Sequence, residues 1–397
     1  MTIKKYIKSI SNHIQDWIIF FFLILGVSGL SSFTVQMIST GLPLYCIDIG
    51  KTTAQAGIIS AFYSIAVIIS KPFVGKWIDE RGKWIIAFIG IILMVLSLGL
   101  MAFVPNLSLF GIYQFIEGVS FSALSTALAA LLMDIFPPES MVKGIGLFTV
   151  IKSFTISLGA SFAVSFIEKN GSSKLFICCF IILLIAFVIT IFLKKAPVYN
   201  KTYIKEETQS VEYKGLDKFI DKSALPICLV QFVFTFSLTL GTCYLPSYAQ
   251  SIGLAGVGSY YIVSAVTMLL TRTIFSKVIE KLNTKLSFII GMFLAAITTV
   301  GVLFSDKLIY FILLAIPNAI GIALINPTLN VLATAYAPAN RRGVASSTYY
   351  ASLDLGSGAG STIWGILVPV IGYNYSFILA TVLLMIVFIY GIRLVRK

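Results

Sequence analysis

Charge is scarce in this sequence: Asp, Glu, Lys and Arg together make up 11% of 397 residues. Histidine occurs once, as His13, and the five cysteines, Cys46, Cys178, Cys179, Cys228 and Cys243, lie in or beside apolar runs with no Cys-x-x-Cys spacing. Such an inventory argues against a His/Cys metal cluster and leaves the thiols as small packing groups. A Gly-x-x-x-x-Gly-Lys-Ser/Thr loop is missing, so no ATP-binding element and no cofactor are implied. No nucleophile stands at a convincing spacing from a base, and no long polar segment offers itself as a catalytic domain. An enzyme is therefore not expected.

What is present is apolar: 58% of residues are hydrophobic and the mean hydropathy is +0.97, far above the level of a water-soluble domain. A helical crossing of a bilayer needs roughly 20 apolar residues, and twelve candidate segments can be marked. The first half places them near 17–44, 53–70, 84–104, 107–133, 144–167 and 175–193; the second places them near 223–249, 256–271, 286–305, 308–334, 343–367 and 377–392. Lipid forces every backbone amide to find its partner within the segment, and the runs lack the alternation of barrel strands, so helices are expected. Pro and Gly mark several turns: VPNLS around Pro105, SIGLAGVGS from Ser251 and VIGYNYS from Val370. The uncharged run from Trp17 to Ile47 is too long for a signal-peptide core and is expected to remain as the first span.

Basic residues fix an expected orientation. Loops on the side of the amino terminus, with both termini, collect 24 of the 29 Lys and Arg residues, including Lys4, Lys5 and Lys8 of a short leader. The opposite loops hold only Lys51, Lys169, Lys174 and Lys307. Positive charge stays inside, so a multi-pass protein of the cell membrane with both termini in the cytoplasm is predicted. The same distribution accounts for the net charge of +13 without a nucleic-acid partner.

The chain also repeats itself. GLPLYCIDIG from Gly41 matches YLPSYAQSIG from Tyr244, and SKPFVGKWIDERGKWIIAFIG from Ser70 matches TRTIFSKVIEKLNTKLSFIIG from Thr271. The second match pairs Lys71 with Arg272 and Gly90 with Gly291, and a third joins Gly144 onward to Gly343 onward. These offsets predict an all-α integral membrane protein whose twelve transmembrane helices form two pseudo-symmetric six-helix bundles. The bundles are residues 1–193 and 223–397, joined by a cytoplasmic linker, 194–222.

Six charges crowd into Lys71–Lys83, KPFVGKWIDERGK. Within it, GKWIDERGK resembles the Gly-x-x-x-Asp-x-x-Gly-Lys/Arg loop between helices 2 and 3 of the major facilitator superfamily. ALLMDIFPPESMVKGIGLF from Ala130 looks like the helix 4–5 connection of that family's twelve-helix drug:proton antiporters. Carried over, the resemblance makes Asp79, Arg81 and Lys83 parts of a cytoplasmic gate between the halves, with Gly75 and Gly82 allowing the turn. The alternative is a topology anchor that only keeps positive charge inside. Two departures make the likeness to proton antiport partial. Gln114 stands where antiporters carry Arg ahead of x-x-x-Gly, and Ala160 follows Gly159 where Gly-Pro is usual.

Three ionisable residues lie well inside spans: Glu117, Lys152 and Asp354. Each would cost at least ~2.5 kcal/mol facing lipid at mid-depth, so each should face a cavity or a partner. Glu117 and Lys152 are expected within ~9 Å of each other along antiparallel helices, either as a permanent neutralising pair or as one that opens with protonation or substrate. Asp354 has no basic partner in its own half and is the candidate proton-carrying or cation-binding carboxylate, since a carboxylate taken out of water can load and unload a proton near neutral pH. Gln36, Gln114, Gln231, Asn318 and Asn326 are further candidates for the cavity, each with the alternative of tying helices together. The resemblance implies a secondary active transporter, a monomer in the bilayer, exporting a small amphipathic molecule by alternating access coupled to protons. A proton-coupled importer is the alternative, with an intramembrane enzyme or a non-transporting receptor behind it.

Overall fold

The computed structural model describes residues 3–135, 141–195, 220–274, 282–338 and 341–395, with side chains from residue 18 on except at 72, 79, 141–147, 149–150, 273, 342 and 343. The side chains of the basic leader and of Asp79, and most of the 194–222 linker, therefore lie outside the described residues. Among the described residues there is no strand. The first half holds α1 (Ile3–Asp48), α2 (Thr53–Arg81), α3 (Lys83–Phe103), α4 (Leu107–Ile135), α5 (Met141–Asn170) and α6 (Ser173–Phe192), continued by a 3-10 turn at Leu193–Lys195. The second holds α7 (Leu225–Ser251), α8 (Gly258–Thr273), α9 (Thr284–Leu303) and α10 (Leu308–Tyr336). A final helical run, Arg342–Val395, is interrupted by Gly372 at φ 82° and ψ 164°. It thus comprises α11 (342–371) and α12 (373–395), turning at the VIGYNYS segment because only glycine takes that conformation without strain.

Among the described residues, ten helical stretches are long and apolar enough to cross a membrane, and the last of these, Val344–Val395, contains both α11 and α12. The fold is an all-helical, multi-pass membrane architecture. Its largest apolar core runs from Phe21 to Leu193 and draws only on the first half, whereas the core around Phe234, Phe288 and Tyr349 draws only on the second. The repeat is visible in the packing. Pro43 and Pro246 each sit inside a helix, five residues before α1 and α7 end. A Cβ on Gly90 would lie 2.9 Å from the Leu124 nitrogen and 3.0 Å from the Ser120 carbonyl, and one on Gly291 would lie 3.1 Å from the Gly321 carbonyl. Hence α3 crosses α4 as α9 crosses α10, at a residue without a side chain, which is how helices approach when lipid offers no hydrophobic drive.

The carboxyl end of the linker is pinned. Arg341 Nε donates to Asp221 Oδ2 at 2.6 Å, and its Nη2 donates to the Ile220 carbonyl at 2.9 Å. The Ser223 amide donates to Asp221 Oδ1 at 3.0 Å. Burial alone would raise the Asp221 carboxyl, but the bonds from Ser223 and Arg341 and the adjacent guanidinium charge outweigh it and hold the carboxyl below its ordinary value. Removing one partner of a pair this buried, as in Arg341→Leu, should lower stability by about 3 kcal/mol. A folded-state pKa that is depressed contributes stability above the ordinary carboxylate range, and that contribution disappears as pH falls through it. Thermal unfolding in detergent should therefore show a penalty for Arg341→Leu at about pH 7 that shrinks toward about pH 3.

Candidate functional site

Three helix pairs form the seam between the halves: α1 with α7, α2 with α11, and α5 with α8. On the face away from the α2–α3 turn the seam is closely knit. Ser39 Oγ and Cys243 Sγ are 3.2 Å apart, Thr53 Oγ1 donates to the Gly365 carbonyl at 3.4 Å, and Ser161 Oγ donates to the Gly258 carbonyl at 2.8 Å. The Gly256 amide donates to Glu168 Oε1 at 2.8 Å. Glycines allow this approach, since a Cβ on Gly57 would fall 2.7 Å from the Thr362 carbonyl and 3.0 Å from Gly365 Cα. A second void of about 230 Å³, bordered by Asp48, Glu168 and Gln250, lies at this same face.

Toward the opposite face, which carries the α2–α3 turn and is called the basic face below, the seam holds two charged contacts among the described residues. The Lys71 ammonium of α2 pairs with the Asp354 carboxylate of α11. One seam away, Arg272 Nη1 of α8 donates to Ser153 Oγ of α5 at 3.4 Å. The repeat had paired Lys71 with Arg272 by sequence, and the structure gives them matching places on α2 and α8. Their partners differ: one faces a carboxylate, the other a hydroxyl.

A cavity of about 210 Å³ lies mainly in the second half and reaches α1 and α5 of the first; its wall includes Gln36 of α1, Ser157 of α5, Thr242 of α7, Tyr260 of α8, Asn318 of α10 and Phe377 of α12. Asn326 and Ser153 also border it. Three of the polar candidates read from sequence therefore reach the cavity: Gln36, Asn318 and Asn326. Gln231 does not. It is fully buried, donates to Thr235 Oγ1 at 2.7 Å and Asn326 Oδ1 at 3.3 Å, and lies 3.1 Å from the Tyr349 hydroxyl, so it ties α7, α10 and α11 together.

The charged residues are arranged otherwise than their spacing suggested. Glu117 does not pair with Lys152; its carboxylate accepts from Gln114 Nε2 at 2.6 Å, within a side chain only 1% exposed. Gln114 stands three residues earlier on the same helix, so it reaches the carboxylate without bridging helices. Lys152 instead lays its ammonium 5.6 Å from the Phe121 ring centre, a cation–π distance, within electrostatic reach of Lys71 and Asp354. Asp354, expected to lack a basic partner within its own half, has one from the other half. Lys71 was counted among loop charges; α2 continues past it to Arg81 and carries it into the seam.

The proposed gate loop also differs from its expected role in this conformation. Lys83 Nζ pairs with Asp134 Oδ1 of α4 at 2.5 Å and donates to the Ala130 carbonyl at 3.3 Å, both within its own half. Arg81 is exposed, and the nearby Lys76–Glu80 pair, at 3.6 Å, is a solvated helical neighbour contact. Gly82 turns the chain at φ 92°, and Gly75 faces open space. Lys83 is thus attached to α4 rather than across the seam, because α4 ends beside the start of α3.

A family model described as Major Facilitator Superfamily matches residues 22–305 and 227–397. The Staphylopine export protein of Staphylococcus aureus (strain Mu50 / ATCC 700699) is 22% identical over 384 residues, covering 93% of this chain and 94% of that one. Multidrug resistance protein 2 of Bacillus subtilis (strain 168) is 25% identical over 344 residues, 82% of each. Quinolone resistance protein NorA of Staphylococcus aureus (strain MSSA476) is 26% identical over half of each chain. Among solved structures, a bacterial homologue of the human lysosomal transporter Spinster, inward-facing and unoccupied, superposes with a TM-score of 0.78 at 12% identity, over 96% of this chain and 97% of that one. The nucleoside transporter NupG superposes with a TM-score of 0.76 at 12% identity, over 95% and 99%.

Proposed function

Since the chain belongs to the Major Facilitator Superfamily, and is a transporter rather than an enzyme, we propose that it exports a small amphipathic molecule by alternating access in exchange for protons. The observation that carries this reading is the uneven seam. Among the described residues, hydrogen bonds and glycine contacts join the halves along the face away from the α2–α3 turn, while the cavity lies mainly in the second half against α1 and α5 of the first, and the Lys71–Asp354 pair spans the halves nearer the basic face. With both termini in the cytoplasm, as the distribution of Lys and Arg supports, this is an inward-facing arrangement, closed outside. Residues 1–193 and 223–397 are the two bodies that rock, and 194–222 is the tether between them.

Outward movement is supported by the company the chain keeps, relatives named for staphylopine export and for multidrug and quinolone resistance. Coupling is assigned to Asp354. Here the Lys71 ammonium occupies its carboxylate, and a proton can replace that ammonium only when α2 and α11 part. Glu117, held by Gln114, is a second carboxylate whose proton could follow the movement of α4.

Purified protein in proteoliposomes loaded with a pH-sensitive dye should release or take up protons when a transported amphiphile is added from a panel of cationic, anionic and neutral compounds. Substrate movement that proceeds at the same rate with and without a pH gradient, and moves no protons, would remove the coupling and leave facilitated diffusion.

A further inference from the structure

Among the described residues, the two intramembrane carboxylates of the site each have a partner, one neutral and one cationic. Glu117 accepts from Gln114, and Asp354 is paired with Lys71. Two cations remain at the same depth. Lys152 has an aromatic ring as its neighbour, Phe121, and Arg272 has a hydroxyl, Ser153 Oγ, and lies within electrostatic reach of the Tyr349 and Tyr350 phenols. Among the described residues neither cation has a carboxylate within salt-bridge distance, although Lys152 lies within α5 and Arg272 at the inner end of α8, both half-buried, where uncompensated charge is unfavourable. Neither is sealed and neither lines the cavity itself, but Ser153, which follows Lys152 and receives Arg272, does. Beyond this end the cavity wall turns to rings and hydroxyls, Tyr260, Phe377, Ser157 and Thr242.

We propose that the transported molecule bears a negatively charged group, a carboxylate or an equivalent oxyanion, received by Lys152 and Arg272 where the cavity approaches the basic face, while its remaining body lies against the aromatic and hydroxyl wall. The inference rests on the transporter reading and narrows its substrate class. An incoming carboxylate completes the neutralisation that the described residues leave open, and Arg272 offers the planar fork that binds two oxygens at once. A cationic amphiphile would meet like charge at this end, where Asp354 is already paired with Lys71.

Full-length protein in nanodiscs can be tested with three probes that share a ring and differ in charge: indole-3-acetate, indole-3-acetamide and tryptamine, with the phenylpropionate series as a second scaffold. Binding is read by titration calorimetry and by the shift in unfolding temperature. The acid should bind at least about tenfold more tightly than its amide, the share of a charge-assisted contact, with the amine weakest. Lys152→Gln and Arg272→Gln should each erode that preference, Lys152→Arg should keep it, and unliganded unfolding temperatures should stay close to the parent's. Equal or tighter binding of amide or amine overturns the assignment. So does a preference for the acid that survives in the Lys152→Gln/Arg272→Gln double variant, or no acid bound up to millimolar concentration in either scaffold. Proteoliposome uptake of the same probes separates the two readings. Selective binding of the acid without uptake sinks the transporter and leaves the anion site; uptake of the amine alone sinks the anion site and leaves the transporter.

Discussion

Asp354→Asn should reduce substrate-driven proton movement in proteoliposomes by about a hundredfold or more, the range expected when a proton-bearing group is lost. Asn keeps the shape and removes the titration, and it leaves the Lys71 ammonium without its counter-ion. Two companion variants tell a proton carrier from a mere catch. Lys71→Gln frees Asp354 and should retain proton coupling while altering how readily the halves separate. The exchange Lys71→Asp/Asp354→Lys restores an ion pair with its ends reversed. If the pair only holds the halves, the exchange recovers transport in full; if Asp354 carries the proton, coupling stays lost or reappears with altered pH dependence. Recovery of wild-type coupling in the exchanged protein would return Asp354 to a structural role.

Gly57→Val should trap the protein with its far face open. The α2–α11 approach at Gly57 is backbone to backbone, with a Cβ placed 2.7 Å from the Thr362 carbonyl, and a carbonyl cannot yield as a flexible side chain can. Overpacking of this kind costs about 1–3 kcal/mol, which moves a two-state equilibrium by about 5–150-fold. Because the contact joins the two halves, its loss acts on the balance between conformations more than on the folding of either half. Thr53, buried at 6% exposure at the start of α2, provides the readout. In a background lacking the five native cysteines, Thr53→Cys should react with an impermeant maleimide about tenfold faster when Gly57→Val is present, within the same population shift. Gly57→Ala should act in the same direction more weakly. Unchanged labelling together with unchanged transport would show that this approach is not part of closure.

Much of the helix plan is legible in the sequence because the punctuation is chemical. The Pro105 segment separates α3 from α4, the glycine-rich SIGLAGVGS gives Gly253 and Gly256 at positive φ between α7 and α8, and Gly372 breaks the last run where VIGYNYS predicts a turn. The inner end of α2 is not legible by hydropathy. Lys71 looks like the first residue outside lipid, yet a helix facing another protein surface can carry charge inward, and α2 continues for ten further residues. Partners across the seam are hidden for a different reason: Lys71 and Asp354 stand 283 positions apart, and nothing local to either residue specifies the other. The expected Glu117–Lys152 pair is not formed in this conformation: Glu117 accepts from Gln114 on its own helix, and the Lys152 ammonium lies over Phe121, partners that sequence spacing does not single out. Gln36, Asn318 and Asn326 could be recognised as polar residues of apolar helices, but not Tyr260 or Phe377, which resemble the many aromatics that line lipid.

The excess of positive charge left by Lys152 and Arg272 bears on the electrical work of the cycle. A transporter that carries a monovalent anion outward and one proton inward displaces two elementary charges in the same electrical direction. Each is worth about 2.3 kcal/mol per 100 mV of membrane potential. In a cell whose interior is negative, both movements run downhill, so export would be electrogenic and would continue on voltage alone after the pH gradient had collapsed. An exporter of monovalent cations exchanging one for one with protons would be electrically silent. Under the proposed exchange of an anion for a proton, a hydroxyl rather than a carboxylate opposite Arg272 would make membrane voltage a driving component of export.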